Sequence, residues 1–357
     1  METHNPGILG NANVLMLWTV ATFLLSAVLT RLMIAVNIQD IPQSRSSHAV
    51  PTPRAGGVGV VISFLFAAIL LLGSNLTKGH VYLIVSALLL VLVNLLDDIR
   101  DLPQRWRFLV QFICALTILA VGWRVELSGM EPSLIRELLE IAFTVSGVVF
   151  AINATNFIDG LNGLLVGTVA IAVLAFVSLL YIINAPSNTG LIPLAWIFFA
   201  SLIGFLIFNY PRAYIFIGDV GSTFIGLCIS LAAIAIQTYF PEQTALEIFN
   251  RGFILALFPL SFVWFDVAFT LLRRLYLRRS LIEAHREHLF QILHRCGHSH
   301  QALSGLYFCL TLFLSVITIL CATNIGNFTH CFLLYIFLQT TMVVCVFNCA
   351  KKHRLSL

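Results

Sequence analysis

The stretch "LLVGTVAIAVLAFVSLLYII", residues 164–183, contains no charge and only three side chains that hydrogen-bond strongly. A run of that length matches the ~20 residues needed to cross a bilayer core as a helix. Similar runs recur along the chain, "VVISFLFAAILLLG" among them, and each needs a solvent other than water. Composition agrees: 59% of the 357 residues are hydrophobic and 10% are charged, whereas soluble domains carry about 25% charge. Backbone amides in lipid must be paired within their own segment, which leaves helices as the spanning element for apolar runs of this length. The fold expected is an all-α polytopic membrane protein forming a single domain over 1–357, held by the lipid bilayer. No basic segment precedes the first run, which is read as a retained span and not a cleaved signal. Nucleic acid is not an expected partner.

Eleven spans are expected, at about 13–36, 55–73, 80–96, 107–122, 138–155, 161–183, 191–209, 214–236, 249–275, 304–323 and 330–350. An odd number puts the termini on opposite sides. If the tail "KKHRLSL" is inside, sixteen of the 20 Lys and Arg fall on inner segments. Only Lys78, Arg124, Arg136 and Arg251 fall outside. That asymmetry predicts an outer N-terminus and a cytoplasmic C-terminus. Seven of the eight cysteines lie in or beside apolar runs, where a thiol behaves as a small hydrophobe, so no disulfide framework is read.

On this topology the polar residues gather on the inner side. "DDIRDLPQRWR" crowds Asp97, Asp98 and Asp101 at a helix C-terminus, where carboxylates repel one another and oppose the macrodipole. A divalent cation or a phosphate-bearing ligand relieves that, and so would neutralisation by Arg100, Arg105 and Arg107. "NATNFIDGLNG" sets Asn153 and Asn156 on one helix face and Asp159 before a glycine. Amides in a span line a polar cavity or join helices. "NYPRAYIFIGDVGS" begins at Asn209 and places Asp219 between glycines, as a cation or phosphate ligand or as a helix N-cap. Arg54 in "PTPRAGG" is a phosphate clamp or an interfacial anchor. His285, Arg286 and His288 stand in "AHREH", and His294, Cys296, His298 and His300 follow in what reads as a solvated loop. Asp266 is an acid inside a span, functional or paired with an arginine such as Arg273.

Taken together, "PTPRAGG", "DDIRD", "NATNFIDGLNG", "IFIGDVGS" and "AHREH" resemble the cytoplasmic signature segments of the polyprenyl-phosphate N-acetylhexosamine-1-phosphate transferases. That family includes WecA-type enzymes and the peptidoglycan enzyme MraY. The resemblance covers residues 42–295, in order. Asp101 and "RSSHAVPTPRAGG" with "AHREHLFQ" resemble the WecA-like initiating transferases of bacterial O-antigen synthesis. Two positions depart from the family pattern: Asn162 stands where aspartate is common, and Glu287 where histidine is expected.

The resemblance implies transfer of N-acetylhexosamine-1-phosphate from a UDP-N-acetylhexosamine to undecaprenyl phosphate at the bacterial inner membrane, releasing UMP. It implies Mg²⁺, with Mn²⁺ as a substitute, held by Asp219 and Asp159. Asp97, Asp98 and Asp159 are the implied catalytic acids. Arg54, Asn153, Asn156, Asn209, His285, Arg286 and His288 are the implied substrate contacts, and a homodimer is left open. Phospho-MurNAc-pentapeptide transfer is the alternative within the family, and a secondary transporter or lipid flippase the alternative outside it.

Overall fold

The computed structural model describes residues 12–42, 50–100, 102–186, 189–240, 249–280, 283 and 285–355. Asp101, Arg45 and the rest of "RSSHA" lie outside the described residues. Thirteen α-helices occur among those described: α1 Ala12–Val36, α2 Gly57–Leu72, α3 Lys78–Arg100, α4 Gln104–Ala120, α5 Leu134–Ile158, α6 Leu164–Ile182, α7 Leu191–Asn209, α8 Gly218–Gln237, α9 Arg251–Leu257, α10 Ser261–Tyr276, α11 Leu289–Arg295, α12 His300–Ala322 and α13 Phe328–Lys352. Helices α9 and α10 run through one 3₁₀ turn, Phe258–Leu260, and together make one 26-residue crossing. The protein is a polytopic all-α membrane protein. Each of the eleven expected spans falls on a helix, and nine of these crossings among the described residues are long and apolar enough for a bilayer. Helix α2, with 16 residues, and α4, with 17, are shorter. Helix α11 lies inside the segment read from sequence as a loop.

Burial is inverted at the periphery, as lipid exposure demands. Helix α1 turns Leu17, Leu24, Val28 and Leu32 outward and buries Thr22, Ser26 and Thr30. These small residues at i, i+4 and i+8 let α7 approach closely: a Cβ added at Gly204 would come within 2.7 Å of Ser26 Cβ, and Ser26 Oγ donates to Ser201 O at 2.7 Å. At the centre, α6 and α8 are buried on almost all sides.

The start of α8 is locked to the start of α2. Gly56 N donates to Phe216 O at 2.9 Å and Gly57 N to Ile217 O at 2.8 Å. A Cβ at Gly221 would fall 2.7 Å from Gly57 Cα, so the two helices touch backbone to backbone. Beside them a two-stranded ribbon, β1 Gln39–Asp40 and β2 Thr52–Pro53, pairs antiparallel with Asp40 opposite Thr52. Ribbon and helix ends therefore meet at one end of the bundle, with the loops that follow α3, α5 and α10.

Candidate functional site

At that end the structure forms a polar cavity of about 510 Å³. Asp98, Asp159 and Asp219 line it from three different helix ends, α3, α5 and α8. Arg54, His285, Arg286, His294 and Arg295 line it too. All five polar segments singled out in the sequence contribute: the ribbon, the α3 end, Asp159 to Asn162, Asn209 to Asp219, and the segment after α10. Acids and cations within one cavity can hold phosphate oxygens by charge-assisted hydrogen bonds on one side and a hard cation on the other.

Helix α3 aims its acids by periodicity. Leu90, Asn94, Asp97 and Asp98 fall on its buried stripe, spaced so that one face stays inside the bundle. Arg54 Nη2 donates to Asp98 O, and its Nη1 stands 3.9 Å from Asp98 Oδ1. Asp98 Oδ2 is buried with no hydrogen bond of ordinary geometry, and the N–H groups of Asp219 and Val220 at the start of α8 stand near the carboxylate. Opposite it is Gly218, at φ +71°, a left-handed value that side chains disfavour. A Cβ at Gly218 would sit 2.8 Å from Asp98 Oδ2, so the absent side chain leaves room beside it.

Asp97 and Asp219 share one guanidinium. Arg107 Nη1, from α4, donates to Asp97 Oδ2 at 2.7 Å and to Asp219 Oδ2 at 2.8 Å. The remaining Asp97 oxygen accepts from Leu102 N at 2.6 Å. The remaining Asp219 oxygen accepts from Asn156 Nδ2 at 2.8 Å, and Asn156 also donates to Ser222 Oγ at 3.2 Å. Asp219 makes no side-chain cap: the N-cap of α8 is Ile217. Its position in the first turn still complements the helix dipole. Asp159 ends α5 just beyond the span. Burial first, then the charges of Asp219 and Asp98, raise its carboxyl well above the usual carboxylate range.

Several sequence candidates do not reach the cavity wall. Asn153 exchanges hydrogen bonds with Gln111, at 2.6 and 3.4 Å, and joins α5 to α4. Asn209 lines the cavity, and its amide also braces the loops, accepting from Gly163 N at 2.7 Å and donating to Ile215 O at 2.8 Å. His288 is 2% exposed and turned inward, with Nδ1 3.3 Å from Asp266. Its neighbour His285 packs against it with tilted rings, centroids 5.1 Å apart, and does line the cavity.

Sequence reasoning missed three contributors. Arg107 was visible only as a neutraliser of the acids near it in sequence, and its reach to Asp219 spans 112 positions. His294 and Arg295 read as solvated loop. The apolar spacing of Leu289, Ile292 and Leu293 was the available signal that a helical turn presents them. At the opposite end of the bundle, Glu140 is buried and bound by Arg124 and Arg136 at 3.1 and 2.8 Å, a closed structural tie.

His285 Nδ1 is buried without a hydrogen-bond partner. Burial first, then His288 and Arg274, lower its pKa from 6.5 to about 4. Between those values the unfolded chain binds more protons than the folded one, so stability rises with pH across the window and is lost as pH falls through it. We expect unfolding in detergent between pH 7 and 4 to show that loss, of order 2 kcal/mol after allowing for the water that screens this half-buried ring. In His285→Gln it should be smaller. Equal pH slopes in both proteins would show that His285 is not the group responsible.

Residues 80–237 match the model of the family described as glycosyl transferase family 4. The chain is 31% identical over 287 residues to the decaprenyl-phosphate N-acetylglucosaminephosphotransferase of Mycolicibacterium smegmatis, covering 73% of this chain and 69% of that one. It is 27% identical over 283 residues to the probable undecaprenyl-phosphate N-acetylglucosaminyl 1-phosphate transferase of Bacillus subtilis, covering 78% and 75%. To the undecaprenyl-phosphate alpha-N-acetylglucosaminyl 1-phosphate transferase of Thermotoga maritima it is 28% identical over 274 residues, covering 76% and 79%.

Proposed function

Since the chain belongs to glycosyl transferase family 4 and is a glycosyl-1-phosphate transferase, we propose that it moves N-acetylhexosamine-1-phosphate from a UDP-sugar to undecaprenyl phosphate, releasing UMP. The observation that carries this reading is the single cavity in which three acids from three helix ends stand with Arg54, His285 and Arg286. Two anionic substrates must meet there. The reading extends to a bacterial inner membrane, a cytoplasmic site and the first membrane step of a cell-surface glycan such as O-antigen. The basic-residue asymmetry supports that sidedness.

In the reaction an oxygen of the acceptor phosphate attacks the phosphorus joined to the sugar. A P–O bond forms as the bond to the UMP oxygen breaks, so one diphosphate linkage replaces another. Little covalent chemistry is left for the protein, and positioning with charge neutralisation supplies the acceleration. Asp98, beside Arg54, faces the acceptor phosphate and takes its remaining proton, with Asp97 held behind it by Arg107. Asn156 fixes Asp219. Arg54, His285 and Arg286 bind phosphate oxygens, with His285 acting as a neutral donor.

The donor set fits a hard cation. Asp98 Oδ2, without a hydrogen bond of ordinary geometry, faces the space left by Gly218, and Asp159 and Asp219 share the cavity. Among the described residues no three His, Cys, Asp or Glu side chains form a ready cage; Mg²⁺ commonly takes one or two carboxylates and completes its shell with water and phosphate. Asp219 and Asp159 would hold Mg²⁺, or Mn²⁺ in its place, and the bound ion would neutralise charge on the phosphates.

The test is exchange of radiolabelled UMP into a panel of UDP-sugars, using membranes that contain the protein, undecaprenyl phosphate and Mg²⁺. Exchange with a UDP-N-acetylhexosamine is expected. None with any member of the panel overturns the reading, and exchange only with the peptidoglycan donor moves the protein to that branch. A requirement for the lipid acceptor would mark direct attack, since a phosphoryl-enzyme exchanges without it.

Sidedness is tested separately on a background lacking native cysteines. Thr189→Cys should react with an impermeant thiol reagent from outside intact cells, and Arg278→Cys should not. The reverse pattern would invert the orientation and put the cavity on the wrong face for a cytosolic donor.

A further inference from the structure

Asp266 is fully buried in α10 and takes no part in the transfer chemistry above. The arginine that the sequence offers as its partner is engaged elsewhere. Arg273, Arg274 and Arg279 all converge on Glu287, at 3.1, 2.6 and 3.0 Å. Among the described residues Asp266 pairs with no arginine or lysine, and His288 Nδ1 stands 3.3 Å from its Oδ1. Its carboxylate is satisfied by hydrogen bonds instead. Oδ1 accepts from Leu289 N at 2.8 Å and Oδ2 from Phe290 N at 3.2 Å, the first two amides of α11. Tyr307 OH, reaching over from α12, donates to Oδ2 at 2.9 Å.

What hangs from this anchor faces the cavity. His285 and Arg286 lie just before the anchored amides, and Gln291, His294 and Arg295 just after them. Phe290 is buried against the other wall, where a Cβ on Gly160 would come within 3.0 Å of its ring. Glu287 pins the same segment from its other shoulder through the three arginines. The segment is thus held at two points, one buried carboxylate and one arginine cluster, and neither point is a cavity residue. Charge-assisted bonds from backbone N–H groups to a carboxylate are short and directional, and they fix main chain where a side-chain contact would fix only a rotamer.

We propose that Asp266 is a positioning residue: through Leu289, Phe290 and Tyr307 it sets the distance of His285, Arg286, His294 and Arg295 from the acidic wall, and so the binding of the donor's diphosphate. This rests on the functional reading above. The ligand chemistry is phosphate oxygen, which both substrates carry. The donor is assigned because the anchored segment lies beyond the spans, on the side from which a soluble nucleotide-sugar arrives. A displacement of about 1 Å in such a group costs up to about a hundredfold in rate or affinity.

Full-length Asp266→Asn and Tyr307→Phe are purified in detergent beside the wild type, and KM for UDP-sugar and for undecaprenyl phosphate are measured with kcat and the thermal midpoint. The amide in Asp266→Asn presents N–H where Phe290 N or Tyr307 OH needs an acceptor, and donor KM should rise about tenfold. Tyr307→Phe removes one of the bonds and spares the backbone amides, and donor KM should rise about threefold. In both, acceptor KM should stay within about twofold. Unchanged donor KM in the variants, whatever the thermal midpoint does, overturns the proposal. So does an equal rise in both KM values, and a rise in acceptor KM alone shows that the segment holds the lipid phosphate. If Asp266→Asn does not accumulate, Tyr307→Phe decides by the same criteria. A wild type that uses no nucleotide-sugar would defeat the proposed function, a result visible before either variant is read.

Discussion

Asp219→Asn should lower transfer by several orders of magnitude and remove thermal stabilisation by Mg²⁺ plus UDP-sugar. The substitution preserves size and keeps an oxygen for Asn156, whose Nδ2 lies 2.8 Å from Asp219. It removes the charge that a hard cation requires. It also turns an amide N–H₂ toward Arg107 Nη1, now 2.8 Å from Asp219 Oδ2, donor against donor. Leaving such a donor unpaired costs about 1–3 kcal/mol, so the ligand-free midpoint should fall modestly. Ligand at a hundred times its dissociation constant stabilises a folded protein by about 2.7 kcal/mol, and that shift is the quantity to compare. Turnover near that of the wild type would show that the metal is held elsewhere among the acids.

Arg107→Gln should lower stability and make that stability depend strongly on Mg²⁺. One guanidinium nitrogen now serves Asp97 and Asp219 together. Without it two carboxylates face each other, with Asp98 and Asp159 nearby, and no cation from the protein between them. Removing one partner of a fully buried pair costs about 3–5 kcal/mol. Here Arg107 and Asp219 keep 25% and 28% of their side-chain surface exposed, so water screens part of the repulsion and roughly 2 kcal/mol is expected. Mg²⁺ should restore more stability to the variant than it adds to the wild type, because the ion then supplies the missing positive charge. Equal Mg²⁺ responses in the two proteins would place ion and guanidinium in separate electrostatic environments.

The membrane architecture was legible because length is enforced by lipid: a run such as 164–183 has one way to satisfy its amides. The gathering of polar loops was legible for a related reason, since counting basic residues by side sorts loops without any knowledge of packing. Contacts across helices were not. Nothing in "ANVLMLWTVATFLLSAVLT" says that Thr22, Ser26 and Thr30 form the buried face while the leucines meet lipid. The hydrophobic-inside rule, sound in water, inverts when the solvent is hydrocarbon. Asn153 and Asn156 share a helix face and look equivalent in sequence. The roughly 60° between positions i and i+3 around a helix sends one to Gln111 and the other to Asp219. The cap reading of Asp219 was reasonable from its glycine flanks, but the left-handed Gly218 begins the helix one residue earlier and frees the carboxylate for the cavity. Asp266 was recognised as an acid out of place. Its partners, Tyr307 and the amides of α11, lay 41 and about two dozen positions away.

The backbone contact between Gly57 and Gly221 will distort any map of this protein drawn from loss of activity alone. An alanine at either position must push α2 from α8, and the displaced helix start carries Asp219 away from Asn156 and Arg107. A scan scored by turnover would then return both glycines beside the true ligands, as though they touched substrate. Yield of folded protein at each position separates the two classes: defects in chemistry leave the amount in the membrane intact, while defects in spacing deplete it.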